Sequence, residues 1–268
     1  MSEWLNVILL ALTQGLTEFL PVSSSAHLIL LPLIMHTPDQ GLVFDISLHI
    51  GTLLAVLYYF RVKIKWLIIG FFKSFKPKTK MGVHSKLAWS LIIGSLPIAV
   101  GGMLLHSTIE NFARSPLVIG YASILFGLLL YIAERIGSQA RSLRSFTLKN
   151  ALFIGCMQVM ALIPGTSRSG ITLTGGLFLG FNRKTAATFS FLLSIPAILM
   201  AGTYASTQLV NASIHMHWYD FMIGISVSAI SAFCCIHLFL KLINKIGLLP
   251  FVIYRIILGT VLIFIFQS

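Results

Sequence analysis

Apolar runs of roughly fifteen to twenty residues recur from one end of this chain to the other, separated only by short polar clusters, and each run is about what a helix needs to cross a bilayer. A chain patterned this way cannot hide its surface as a water-soluble globule. It reads as an all-α polytopic membrane protein with no appended soluble domain. Composition agrees: of 268 residues 57% are hydrophobic and 10% are charged, and the mean hydropathy is +0.93. Soluble domains carry roughly 25% charged residues.

Lys and Arg outnumber Asp and Glu by 19 to 7, and in so apolar a chain that excess is a topology signal, not a nucleic-acid footprint. No nucleic-acid partner is expected. Cys156, Cys234 and Cys235 lie inside apolar stretches without ligand spacing, so they are read as packing residues, neither a disulfide framework nor a zinc site. Only the acidic Glu3 precedes the first apolar run and no Lys or Arg occurs before Arg61, so that run is expected to stay in the mature protein.

The cations fix the orientation. Arg61, Lys63, Lys65, Lys73, Lys76, Lys78, Lys80 and Lys86 lie between two apolar runs with no acid from Ile46 to Ile109, so this loop is placed in the cytoplasm. Two crossings later Arg135, Arg141, Arg144 and Lys149 form a second basic loop on the same side. The stretch Ser206–Asp220 lacks Lys and Arg and is placed outside, while Lys241 and Lys245 return to the inside. Six full spans are expected, at about Leu42–Phe60, 87–105, 116–133, 186–205, 221–240 and 250–266.

Leu5–Leu33 and Ala151–Phe181 do not fit as simple spans, because a Pro followed by a Ser-rich cluster breaks each near its middle. Both are read as re-entrant helical hairpins, the first entered from outside and the second from the cytoplasm. Pro21-Val-Ser-Ser24 echoes Pro164-Gly-Thr-Ser167 at an offset of 143, with Gln14 and Gln158 before them, and Pro116-Leu-Val-Ile119 echoes Pro250-Phe-Val-Ile253 at an offset of 134. The expected organisation is one membrane domain built as an inverted repeat, with halves at about 1–135 and 150–268 joined by the second basic loop. Broken helices that meet near the midplane aim their N-termini at an anionic ligand.

The polar residues in these hairpins are costly in an apolar setting, which makes them site candidates. In the first, Gln14 and Glu18 share a helix face, and Pro21 opens a turn where Ser23, Ser24, Ser25 and His27 converge. In the second, Thr166, Ser167, Arg168, Ser169 and Thr172 put hydroxyls, helix-start N–H groups and one guanidinium together, a set suited to a tetrahedral oxyanion. Glu18 has a structural alternative, bonding the backbone of the opposite hairpin; Arg168 has another, an ion pair with Glu18 that only locks the halves. His27 has the ring whose ordinary pKa suits proton transfer near neutrality, and its position permits a Ser–His pair. His36, His84, His106, His215, His217 and His237 are discounted, while His49 and Asp45 stand between a supporting role and none.

Glu18-Phe-Leu-Pro-Val-Ser-Ser with His27, and Pro164-Gly-Thr-Ser-Arg-Ser-Gly-Ile-Thr172, resemble the two signature motifs of the bacterial undecaprenyl-diphosphate phosphatases, the bacitracin-resistance protein family. Phe44-Asp-Ile-Ser-Leu-His49-Ile-Gly-Thr is also similar to that family, and the similarity runs the length of the chain. The resemblance implies an enzyme of the bacterial inner membrane, with its site facing outside, that takes the terminal phosphate from undecaprenyl diphosphate and so recycles the carrier lipid for peptidoglycan and other wall polymers. Bacitracin sequesters that substrate, which implies a role in resistance. Where the family has Glu or Gln at the first acidic position, this chain has Gln14, which weighs against a mechanism needing two carboxylates.

On this reading Arg168, with Thr166, Ser167, Ser169, Thr172, Ser23 and Gln14, binds phosphate, and Glu18 and His27 do acid–base work. Ser24, His27 and water stay open as the nucleophile. A divalent cation, Mg2+ or Ca2+, is expected with Glu18 as a ligand. The expected partners are a polyprenyl diphosphate and membrane lipids; a homodimer is possible through Gly101-Gly102 or Gly175-Gly176. The rival reading is a lipid transporter that uses the same inverted-repeat site to carry the headgroup across the bilayer.

Overall fold

The computed structural model describes residues 3–37, 41–76, 81–112, 115–209 and 218–267. Among these, eleven α-helices run in the order α1 (Glu3–Thr17), α2 (Ser24–Met35), α3 (Gly41–Tyr59), α4 (Arg61–Lys73), α5 (Val83–Phe112), α6 (Pro116–Ile136), α7 (Leu148–Val159), α8 (Arg168–Phe178), α9 (Arg183–Leu209), α10 (Trp218–Ile246) and α11 (Leu249–Gln267). No strand occurs among the described residues; Arg141 and Phe181 form an isolated bridge. The protein is an all-α polytopic membrane protein.

Among the described residues five helices are long and apolar enough to cross a bilayer: Val83–Leu105, Pro116–Ile136, Arg183–Thr203, Trp218–Ile246 and Leu249–Gln267. The expected span Leu42–Phe60 falls on α3, whose 19 residues measure about 28 Å at the α-helical rise. Large apolar side chains such as Leu125, Ile230, Leu238 and Ile257 stand exposed on these helices, which is the outward face that lipid requires.

The two broken segments are hairpins of short helices. α1 and α2 have 15 and 12 residues, α7 and α8 have 12 and 11, so none exceeds about 23 Å in a hydrocarbon core of roughly 30 Å. Each break is made the same way. Ser23 precedes α2 with φ 73° and ψ 92°, and Ser167 precedes α8 with φ 68° and ψ 111°. A left-handed backbone at a residue other than glycine costs about 1–3 kcal/mol and persists only where the surroundings enforce it. These two serines set the register of the echo at 144 residues, which also pairs Gln14 with Gln158; the proline-based offset of 143 is one residue short. Packing is reciprocal as well, with α1 against α10 and α7 against α5.

The core is rich in aromatic rings. Phe19, fully buried, sets its ring edge-on to Phe191 at 5.1 Å between centroids, and Phe146 lies between Phe181 and Phe189 at 4.7 and 4.2 Å. Helix crossings are close where glycine permits. A Cβ on Gly15 would strike the Ser231 hydroxyl of α10, one on Gly155 would strike the Gly94 carbonyl of α5, and Gly120 and Gly259 face each other between α6 and α11. Gly101, Gly175 and Gly176 pack against Val159, Ile154 and Ala186 within the chain, so of the four glycines weighed for a dimer face only Gly102 is open.

The first basic loop departs from expectation. Its first half is a helix, α4, because Ile64, Leu67, Ile68 and Phe71 interleave with Arg61, Lys63 and Lys65 and give it an apolar side while the cationic stems extend away. α4 packs on α5, with the Ser85 hydroxyl donating to the Gly70 carbonyl at 2.7 Å and Trp89 Nε1 to the Ser74 hydroxyl at 3.1 Å. Lys78 and Lys80 lie outside the described residues, as do His215 and His217. The cysteines also differ from the reading as packing residues. Cys156 and Cys234 are exposed on the apolar surface, and only Cys235 is buried, its thiol donating to the Leu16 carbonyl at 3.2 Å.

Candidate active site

α1 ends at Thr17, and the turn that follows places Glu18 where both hairpins reach it. Its carboxylate is buried and accepts four polar contacts. Oε2 receives Gln14 Nε2 at 2.9 Å and the Ser24 hydroxyl at 2.7 Å; Oε1 receives Arg168 Nη2 at 2.7 Å; and His49 Nε2 stands 3.8 Å from Oε2. Glu18 is therefore the point at which the first hairpin, the second hairpin and α3 converge.

Arg168 spends one arm on that pair. Its Nη1 is buried and has no hydrogen-bond partner in the protein, which leaves one edge of the guanidinium available to an anion. The turn around it is tied down by its serines. The Ser167 hydroxyl caps α8 by accepting from Gly170 N at 3.1 Å and contacts the Ser169 hydroxyl at 3.1 Å, and Ser169 donates across to the Leu20 carbonyl of the first hairpin at 2.7 Å. The first turn repeats the pattern, with Ser23 and Ser25 hydroxyls 3.3 Å apart, but Ser23 makes no side-chain cap on α2. Two helix N-termini thus open at the contact between the turns, an arrangement that favours a bound anion.

Not every candidate points into the site. The Thr172 hydroxyl is turned into packing between α8 and α9, where it bonds the Arg168 carbonyl at 2.8 Å and the Ser190 hydroxyl at 2.6 Å. Thr166 is fully buried and its hydroxyl has no partner. The Ser–His pair does not form. His27 Nδ1 bonds the Ser23 carbonyl at 2.7 Å, so that nitrogen carries the proton, and Nε2 accepts from the Tyr254 hydroxyl of α11, with the two rings stacked at 5.7 Å. Ser24 is instead paired with Glu18.

Three residues enter that sequence reading placed at the margin or missed. His49, doubtful beforehand, faces Glu18, its Nδ1 held by the Asp45 carbonyl at 2.7 Å. Tyr254 holds His27, and its neighbour Arg255 donates to the carbonyls of Pro21 and Gly165 in the two turns. A signal for Arg255 was present, since it is one charged residue inside the last apolar span.

Among the described residues no cluster of three or more His, Cys, Asp or Glu side chains could cage a metal ion. The oxygens on offer are the Glu18 carboxylate and the buried, unpartnered Oε1 of Gln14. That donor set fits a cation that keeps waters and takes its remaining ligands from phosphate, as Mg2+ does.

The chain matches known proteins over nearly its whole length. The family model described as "Bacitracin resistance protein BacA" covers residues 7–261. The Undecaprenyl-diphosphatase 2 of Stutzerimonas stutzeri is 50% identical, over 99% of each chain. The undecaprenyl-diphosphatases of Hahella chejuensis and Campylobacter concisus are 53% and 48% identical, over 96% of both chains for the first, and over 97% of this chain and 98% of its relative for the second. With the motif serines, Glu18 and Arg168 brought together as they are, the chain belongs to the bacitracin resistance protein BacA family.

Proposed function

We propose that the protein is an undecaprenyl-diphosphate phosphatase, converting the lipid diphosphate to undecaprenyl phosphate and inorganic phosphate. One observation carries the reading. Ser24 from the first hairpin and Arg168 from the second are both bonded to Glu18, so a nucleophile, a base and a phosphate-binding cation share one carboxylate.

The terminal phosphate sits against the free edge of Arg168 and the N–H groups that open α2 and α8, which offset the charge of the transferring phosphoryl group. The Ser24 oxygen attacks the terminal phosphorus while its proton passes to Glu18, and the bond to the bridging oxygen breaks, releasing undecaprenyl phosphate. Water then attacks the phosphoserine, Glu18 returns its proton to the departing Ser24 oxygen, and the water's own proton passes to His27 and on to solvent, so that inorganic phosphate leaves and both residues regain their starting state. His27, with Nδ1 committed to the backbone and Nε2 accepting from the Tyr254 hydroxyl, takes the water's proton through that hydroxyl. A divalent cation, held by Glu18, Gln14 and the substrate's own oxygens, would supply further neutralisation of the diphosphate.

The lateral openings of a helical bundle suit a polyprenyl tail that stays in lipid while the headgroup enters the polar turns. We place the protein in the bacterial inner membrane with these turns reached from outside, the side from which the charge-based topology has the first hairpin enter. The reciprocal hairpins support an inverted repeat with halves at about 1–135 and 150–268. A homodimer would use the open face at Gly102, which native mass spectrometry in detergent tests.

The test is phosphate release from undecaprenyl diphosphate by the purified protein, with and without EDTA, against Arg168→Ala. Release by the parent and none by the variant is expected, and EDTA sensitivity would place the cation. The paired broken helices also favour the transporter reading. Lipid movement across vesicles without phosphate release would decide for it and against hydrolysis.

A further inference from the structure

The last helix carries one charged residue that no step above uses. Arg255 in α11 is 0% exposed and is the largest fully buried side chain among the described residues. Its guanidinium reaches three separate segments. Nε donates to the Ser123 carbonyl of α6 at 3.2 Å, Nη1 to the Pro21 carbonyl of the first turn at 3.3 Å, and Nη2 to the Gly165 carbonyl of the second turn at 2.9 Å.

The backbone around it is shaped for it. A Cβ on Gly170, in the first turn of α8, would lie 2.9 Å from Arg255 Nη1, and a Cβ on Gly127 of α6 would lie 3.2 Å from the arginine's own Cβ. Two glycines therefore wall the guanidinium, one of them inside the motif that carries Arg168. Glu18 pairs with Arg168 and His49 and Glu134 pairs with Arg183, and Arg255 takes part in none of these ion pairs. A buried cation satisfied only by carbonyls is expensive, and such groups in membrane proteins are kept for function.

We propose that Arg255 is a positioning residue for the phosphoryl transfer, tying the Pro21 and Gly165 turns to one anchor so that Ser24 and Arg168 address the same phosphorus, and giving the cradle its net positive charge. Arg168 and Glu18 neutralise each other, so Arg255 is the unneutralised formal charge bonded to both turns. Its charge draws a diphosphate, and its three-way fork fixes the turns. The inference rests on the reading of the protein as a lipid diphosphate phosphatase.

The two parts separate in kinetics. Arg255→Lys keeps the charge but cannot span three carbonyls; kcat should fall about 100-fold, the scale of an ångström of misplacement, while KM for undecaprenyl diphosphate stays within about threefold. Arg255→Met removes both, and KM should rise about tenfold or more besides. Parental kcat in Arg255→Lys, or an unchanged KM in a folded Arg255→Met, overturns the proposal. If neither variant folds, Gly170→Ala keeps the arginine and presses on Nη1; kcat about tenfold lower with KM unchanged is expected, and an unchanged kcat overturns the proposal. Phosphate release by the parent protein is the control that separates the two failures. Without it the hydrolase reading falls, whereas with it and indifferent variants only the role of Arg255 does.

Discussion

Arg168 and Glu18, 150 residues apart in sequence, meet through Nη2 and Oε1 at 2.7 Å, and the second arm of the same guanidinium is left unbonded. A lysine offers a point charge that can hold Glu18 or reach a phosphate, but not both through a planar fork. Arg168→Lys should therefore lose at least about 100-fold in kcat while melting close to the parent in detergent, a comparison that separates clamp from lock. Near-parental turnover would assign Arg168 to structure alone.

Ser24 and Glu18 are bonded at 2.7 Å and should act as one unit. Ser24→Ala and Glu18→Gln should each reduce phosphate release about 1,000-fold or more, and the double variant should be little worse than either, as coupled catalytic groups behave. Acid-quenched reactions with substrate labelled at the terminal phosphate should leave label on the parent protein and none on Ser24→Ala. Label on His27 or none at all would move the attack to that ring or to water.

The Tyr254 hydroxyl holds His27 Nε2 from a helix outside both motifs. Tyr254→Phe keeps the stacked ring and removes the bond, so activity should fall about tenfold with an unchanged melting temperature. In a His27→Ala background the same change should add nothing, and an additive loss would show that Tyr254 acts elsewhere.

Glu134 is buried at the base of α11, where Oε1 accepts both Arg183 Nε at 2.6 Å and Leu248 N at 2.9 Å. Glu134→Ala strands the buried Leu248 N–H and unpairs Arg183, and should cost about 1–3 kcal/mol, read as a lower midpoint in chemical or thermal unfolding. Gly15→Val, which drives a side chain into Ser231 of α10, should cost about 1–3 kcal/mol by the same measurement. Parental stability in either variant would contradict the packing described.

The site was legible because polar residues in apolar sequence announce themselves. Glu18, Ser24 and Arg168 stood out through the cost of burying them, and the two prolines marked the breaks. What escaped had weaker local signals. α4 was hidden by its cations, since a basic stretch reads as loop until Ile64, Leu67, Ile68 and Phe71 are seen to share a side. Aligning the prolines of the two turns misses by one residue the match of Ser23 with Ser167 in backbone conformation, which residue identity does not display. Pairings such as Ser24 with Glu18 over His27, or Tyr254 with His27, depend on which rotamer and which distant helix come into reach, and no spacing encodes that.

The two left-handed serines carry a consequence for how activity arises. Neither Ser23 nor Ser167 would hold its backbone in isolation, and each turn is bonded to the other through Ser169 with Leu20 and through Arg255 with both. The candidate site is consequently shared between the two hairpins, and neither hairpin alone holds Glu18, Ser24 and Arg168 together. The turns take their observed relation only once α11 is seated, because Arg255 bonds the carbonyls of both.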